Sequence, residues 1–130
     1  MEKESATSYR LAIEKKDGVL WVTATGTRSF EGVLAMMRDV MAALIENRVT
    51  RVLLDVRGLA GRLATIESYE IVDKYFPKIR DRNVVTRCGI VDLKEFQSSY
   101  EFFETVARNR GFDLRILSDV DEALEWLKHD

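Results

Sequence analysis

The stretch Arg51-Val52-Leu53-Leu54-Asp55-Val56 places apolar residues at nearly every position over a strand's length, so a strand built from it must be covered on both faces. Such a strand lies inside a sheet with helices packed over it. The neighbouring patterns agree. Tyr9, Leu11 and Ile13 alternate with polar or small residues, Asp17-Gly18 supplies a tight turn, and Val19 to Thr23 are strand formers, which predicts a β-hairpin over 9–25 with Gly26 ending it. Ser29 is placed to cap a long helix with Phe30, Val33, Leu34, Met37, Val40, Met41, Leu44 and Ile45 on one stripe. After the central strand, Arg57 to Ala64 reads as a loop with two glycines, and Thr65 as the cap of a helix bearing Ile66, Tyr69, Val72 and Phe76, ended or kinked by Pro77. Val84, Val85, Cys88, Ile90 and Val91 make a further interior strand, and Ser98-x-x-Glu101 is a capping box for a helix that Gly111 closes. Phe112, Leu114, Ile116 and Leu117 form a last strand, and Asp119-x-x-Glu122 opens a terminal helix burying Ala123, Leu124 and Leu127.

The resulting order, ββαβαβαβα, specifies an α/β fold with a single mixed sheet of about five strands, an N-terminal hairpin plus parallel strands, and about four helices. Val52, Leu53, Leu54, Ile90, Val91, Val33, Leu34, Met37 and Leu44 are expected in its core. The 130 residues suit one domain, over 9–128, with residues 1–8 as a flexible N-terminus. A composition of 46% hydrophobic and 32% charged residues with one proline can bury a core and does not read as disordered. Twenty basic against 22 acidic residues leave a net charge of −2, which provides no general field for nucleic acid or anionic lipid. No run approaches the ~18 apolar residues of a membrane span, and the start has no apolar leader core, so a cytoplasmic location is expected.

Several chemistries are excluded by residue supply. One cysteine, Cys88, and one histidine, His129, cannot build a disulfide or a Cys/His zinc cage, and no metal or cofactor is expected. Cys88 sits in an apolar strand, where a thiol is packing, and His129 stands beside the terminus, so neither Ser-His-Asp nor Cys-His catalysis is supported. Asp55, Glu67 and Glu70 form a possible carboxylate group, but the two glutamates fit the first turns of a helix, where they favour its dipole. Arg108, Arg110 and Arg115, followed by acidic residues 119, 121, 122 and 125, suggest an ion-pair surface. The loop from Arg57 to Thr65 is the strongest candidate site. Gly58 and Gly61 allow close backbone approach, Arg57 and Arg62 offer two guanidinium forks, and a helix N-terminus follows, although no Gly-Lys-Ser/Thr of a nucleotide P-loop is present.

The element order, Arg51-Val-Leu-Leu-Asp55-Val-Arg-Gly-Leu leading to Thr65, and the ending Ala107-Arg-Asn-Arg-Gly111, Arg115-Ile-Leu-Ser-Asp119, Glu122-Ala-Leu-Glu-Trp126-Leu resemble the STAS superfamily, especially its SpoIIAA-like branch. The likeness extends over residues 9–128. It implies a non-enzymatic regulatory module that binds a protein partner. Sigma-factor antagonists of that superfamily carry a phosphorylatable serine at the start of the helix after the central strand, and the position matching it here is Thr65. Leu63, Ala64 and Ile66 stand where the family pattern has Asp, Ser and Gly. Asp55, Arg57, Gly58, Gly61, Arg62 and Thr65 are thus the candidate binding residues, with Thr65 a candidate phosphosite. The alternative is a module holding an anionic or lipid-like small ligand between helices and sheet. Adjacent Phe102 and Phe103 cannot both face inward, which also suggests a homodimer contact.

Overall fold

A computed structural model describes residues 9–129, so the expected flexible segment 1–8 lies outside the described residues. Two strands, β1 (Tyr9–Lys16) and β2 (Val19–Thr27), form the hairpin. Asp17 and Gly18 both have positive φ, 54° and 79°, the turn whose twist matches that of the strands. Helix α1 (Phe30–Asn47) follows, capped by Ser29, whose hydroxyl accepts the Gly32 N–H at 3.0 Å. Next come β3 (Arg51–Ala60), a helical rod made of α2 (Thr65–Glu70), a π-helical turn (Ile71–Tyr75) and α3 (Phe76–Asp81), and then β4 (Arg87–Val91). A 3₁₀ segment (Lys94–Ser99) leads into α4 (Tyr100–Asn109), and β5 (Leu114–Leu117) and α5 (Val120–Lys128) finish the described chain.

The five strands lie in sequential order, with β1 antiparallel to β2 and the other pairs parallel. Val52 and Leu53 point to opposite faces and are both buried, as a doubly covered strand requires. On one face, Leu20, Val22, Val52, Cys88 and Leu114 pack against Val40 and Leu44 of α1, Val72 of the rod, and Val106 and Ala107 of α4. The opposite face has a smaller cluster, in which Val19, Leu53, Val91 and Leu117 meet Ala123 and Leu127 of α5. Helix α5 lies so close to β4 that a Cβ on Gly89 would stand 3.3 Å from Leu127 Cδ1. Its C-terminal carbonyls accept from Arg87 (to Trp126 O, 2.8 Å) and from Arg51 (to Leu127 O), so two sheet cations satisfy the end of the helix and oppose its dipole.

Several sequence expectations need correction. Gly26 pairs with Tyr9 as the last described pair of the hairpin but does not break β2, which runs on to Thr27 and pairs with Gly58 to Ala60 of β3 past a register shift between Thr23 and Thr25. Arg57 to Ala60 therefore belong to a strand. Pro77 does not end its helix either. It has no N–H, and its ring excludes the carbonyl four residues back, so the rod takes one π-helical turn just before it and continues to Asp81. The capping box from Ser98 is absent, since Ser98 lies in the 3₁₀ segment and α4 starts at Tyr100. Arg110 pairs with Asp73 of the rod at 2.6 Å, not with the acidic run near the C-terminus. Leu54, Ile90, Val33, Leu34 and Met37 are half-buried instead of buried, and four of the five, all but Leu34, line a cavity described below.

Leu53 is 2% exposed beneath α5. Leu53→Ala should lower stability by ~2–5 kcal/mol through lost burial and a new void. Chemical denaturation reads this directly, and an unchanged midpoint would contradict the packing of α5 on β3.

Candidate functional site

Asp92 is the one buried charged residue among the described residues, 6% exposed, directly after β4. Its backbone N–H donates to Leu117 O at 2.9 Å, and its carboxylate accepts the Leu93 N–H at 2.8 Å. Two arginines converge on it. Arg62, from the segment after β3, contacts Oδ2 at 2.8 Å and stacks on the Phe96 ring with its guanidinium carbon 3.7 Å from the centroid. Arg28, just past β2, reaches Oδ1 at 3.8 Å while its Nε donates to Gly61 O at 3.0 Å. Burial lowers the Arg28 guanidinium pKa, Asp92 opposes that shift, and the Arg62 charge adds to it. Tyr100 donates to Leu93 O at 2.5 Å, and burial together with the Asp92 carboxylate raises its pKa. Two cations against one carboxylate leave this group with an excess positive charge at the end of the fold where parallel strands present ligand sites.

Below this group lies a cavity of about 210 Å³ between the sheet and its three covering rods. Its walls are Leu54, Val56 and Ile90 of the sheet, Met36, Met37 and Met41 of α1, Ile71 and Val72 of the π-helical turn, and Phe103 of α4. The charged residues in the wall are Arg28, Arg62 and Asp92. The chain has four methionines, and the three after Met1 all face this space. Thioether side chains are flexible and polarizable, which suits a wall that must adapt to its contents. Cys88 also lines it, and burial pushes its thiol pKa up to about 12, so it is protonated and inert.

The structure divides the residues singled out from sequence. Asp55 and Arg57 bind each other, with Arg57 Nη2 and Nε donating to the two carboxylate oxygens at 2.8 and 2.9 Å. Hydrogen bonding by Arg57 holds the Asp55 carboxyl below its usual range, against the opposing effect of burial. Arg62 joins Arg28 and Asp92 instead. Gly58 is a strand residue pressed against β2, where a Cβ would come within 2.9 Å of Thr25 Cγ2, and Gly61 makes the turn after β3 with φ +84°. Thr65 is exposed in the first turn of α2, but the N-cap is Ala64, whose N–H donates to Glu67 Oε1 at 3.0 Å. Glu67 thus serves the helix start, and Glu70 faces Lys74 at 3.7 Å, so the two glutamates make no group with Asp55. Among the described residues, no cluster of three or more His, Cys, Asp or Glu could hold a metal ion.

Sequence reasoning missed Arg28 and Asp92, and placed Met37 and Met41 on the packed stripe of the long helix without the cavity they line. A carboxylate directly after an apolar parallel strand was the available signal for Asp92. Arg28 had none, because its role depends on strand pairing that brings Ala60, Gly61 and Asp92 beside it.

This fold is SpoIIAA-like. The chain is similar to an uncharacterized protein of Shewanella loihica with a SpoIIAA-like fold, at 17% identity and a TM-score of 0.57, covering 98% of this chain and 99% of the other. It is also similar to an anti-sigma factor antagonist of Mycobacterium paratuberculosis, at 13% identity and a TM-score of 0.59, covering 98% of this chain and 100% of the other. No protein-family model matches the sequence, and no curated protein matches it. No helix among the described residues is long and apolar enough to cross a membrane.

Asp92→Ala should destabilise the fold by ~3 kcal/mol, since it leaves Arg28 buried beside Arg62 without a carboxylate, a cost moderated by the partial exposure of Arg62. Urea denaturation of the variant measures this. A second expectation concerns acid. The folded-state Asp55 pKa lies below the unfolded value of ~3.9, so its stabilising contribution is complete above that pH and disappears as pH falls through the depressed folded value. The stability difference between the wild type and Asp55→Asn should therefore shrink progressively below pH ~4, and a difference that stays constant down to pH 2 would refute the pairing.

Proposed function

We propose that the chain is a non-catalytic, cytoplasmic regulatory module that binds a protein partner through α2, α4 and the segment from Arg57 to Thr65. The observation carrying this reading is an exposed apolar surface beside Thr65. Ile66 is 70% exposed and Phe102 is 52% exposed, and the Phe102 ring stacks on Tyr69, one helical turn from Ile66, at a centroid distance of 6.4 Å. Large apolar side chains held in water beside one another are a common mark of interaction surfaces. The fold-level likeness to an anti-sigma factor antagonist supports the same reading. Phosphate on Thr65 would add negative charge and bulk next to that surface and oppose docking. The partner is a different protein, with a second copy of this chain as the competing occupant.

Affinity capture from the source cells with wild-type, Thr65→Ala, Thr65→Glu and Phe102→Asp baits tests the proposal. One protein held by the wild type and Thr65→Ala, and reduced tenfold or more by the other two, is the expected result. Equal capture by all four would refute it. Sedimentation separates the two occupants, since a lone species near 15.0 kDa at tens of micromolar excludes the homodimer. The cavity under α1 favours a second role, binding a small ligand.

A further inference from the structure

We infer that the cavity beneath α1 is a binding site for a short-chain amphiphile with a carboxylate head, its tail among the methionines and its head on Arg28 and Arg62. This inference rests on the ligand-binding reading and names its chemistry. The wall is apolar except at one end, where its three charged residues stand together. A site so divided orients an amphiphile, because its tail gains burial only below and its head finds partners only above. Charge decides the head. Two guanidinium groups face one carboxylate, so one further negative charge balances the cluster, and a carboxylate supplies it where a phosphate monoester at −1.5 to −2 overshoots.

Arg28 is suited to the head. Its side chain is only 12% exposed, its Nε and Nη2 donate to the neutral carbonyls of Gly61 and Val56 at 3.0 and 3.4 Å, and its nearest carboxylate oxygen is 3.8 Å away, beyond hydrogen-bond distance. A ligand carboxylate would give this desolvated cation the direct partner that Asp92 gives Arg62 at 2.8 Å. The tail is limited by volume. At about 210 Å³ the space lies below the ~300–1,000 Å³ of drug-sized sites and suits a linear chain of roughly six to ten carbons. Flexible thioethers on α1 and the π-helical turn opposite them would let the wall follow that chain.

Methyl-labelled methionine and leucine NMR tests the site in the intact protein, since Met36, Met37 and Met41 report on the wall and Leu127, buried under α5 in the cluster on the other sheet face, serves as the internal control. Octanoate should shift the three wall methyls saturably and leave Leu127 unmoved. Octanol should bind at the same place at least tenfold more weakly, and acetate should not bind. Arg62→Gln and Arg28→Gln, each of which removes one positive charge from the cluster, should each erase most of the preference for octanoate over octanol while octanol binding persists. Leu54→Phe, which fills the space, should abolish both. Absence of saturable shifts with either eight-carbon probe would overturn the cavity as a ligand site altogether. Saturable binding with octanol equal to octanoate would leave the ligand-binding reading standing and overturn the carboxylate head. Shifts that never saturate, or that include Leu127 equally, would mark non-specific binding and overturn the site.

Discussion

Crossovers of one hand, taken in one direction across a sheet, must all fall on the same face. With strands ordered β1 to β5, that constraint stacks α1, the α2–α3 rod and α4 together over Leu20, Val52, Cys88 and Leu114. Among the described residues, the opposite face is then left to α5. Nine residues are a short helix for that task, and burial of Ala123 and Leu127 is supplemented by Arg51 and Arg87, which rise from the sheet to bind its last carbonyls. Gly89 removes the side chain that would hold α5 off the sheet.

The same asymmetry explains the polar centre. Helices crowd one face, and their N-terminal approaches and the ends of β2, β3 and β4 meet around Asp92. One buried carboxylate there draws Arg28 and Arg62 inward, and the backbone of Leu93 and Leu117 fixes its position. The resulting order is electrostatic at the rim and apolar beneath. Pro77 contributes at a distance, because the π-helical turn it imposes sets Ile71 and Val72 toward the cavity. Methionines occupy the facing side of α1, where shape is least fixed.

Much of this architecture was legible in periodicity. The alternation of Tyr9, Leu11 and Ile13, the Asp17-Gly18 turn and the stripe on α1 each depend on interactions within a few residues, so local chemistry specified them. The candidate segment was legible only in part. Arg62 belongs to the polar centre, yet Arg57, five residues earlier, is engaged by Asp55 and makes a separate pair. Nothing in the sequence between them indicates which arginine turns toward which carboxylate. Ala64 took the N-cap from Thr65 because Glu67 reaches back to the Ala64 N–H, so a backbone donor was satisfied without a hydroxyl at the cap.

The sequence by itself determined the alternation of strands and helices, the doubly buried central strand and the supply of one cysteine and one histidine, because those follow from residue type and spacing. The tertiary structure alone decided that β2 and β3 extend past Gly26 and Gly58, that Pro77 is absorbed within a continuous rod, and that Arg28, Arg62 and Asp92 form one group. Each of these depends on a partner at least five residues away, or on a backbone hydrogen bond redirected by its surroundings. Residues 28, 62 and 92 come from three segments separated by roughly 30 positions each, and only the parallel pairing that sets the ends of β2, β3 and β4 side by side brings their charges within reach.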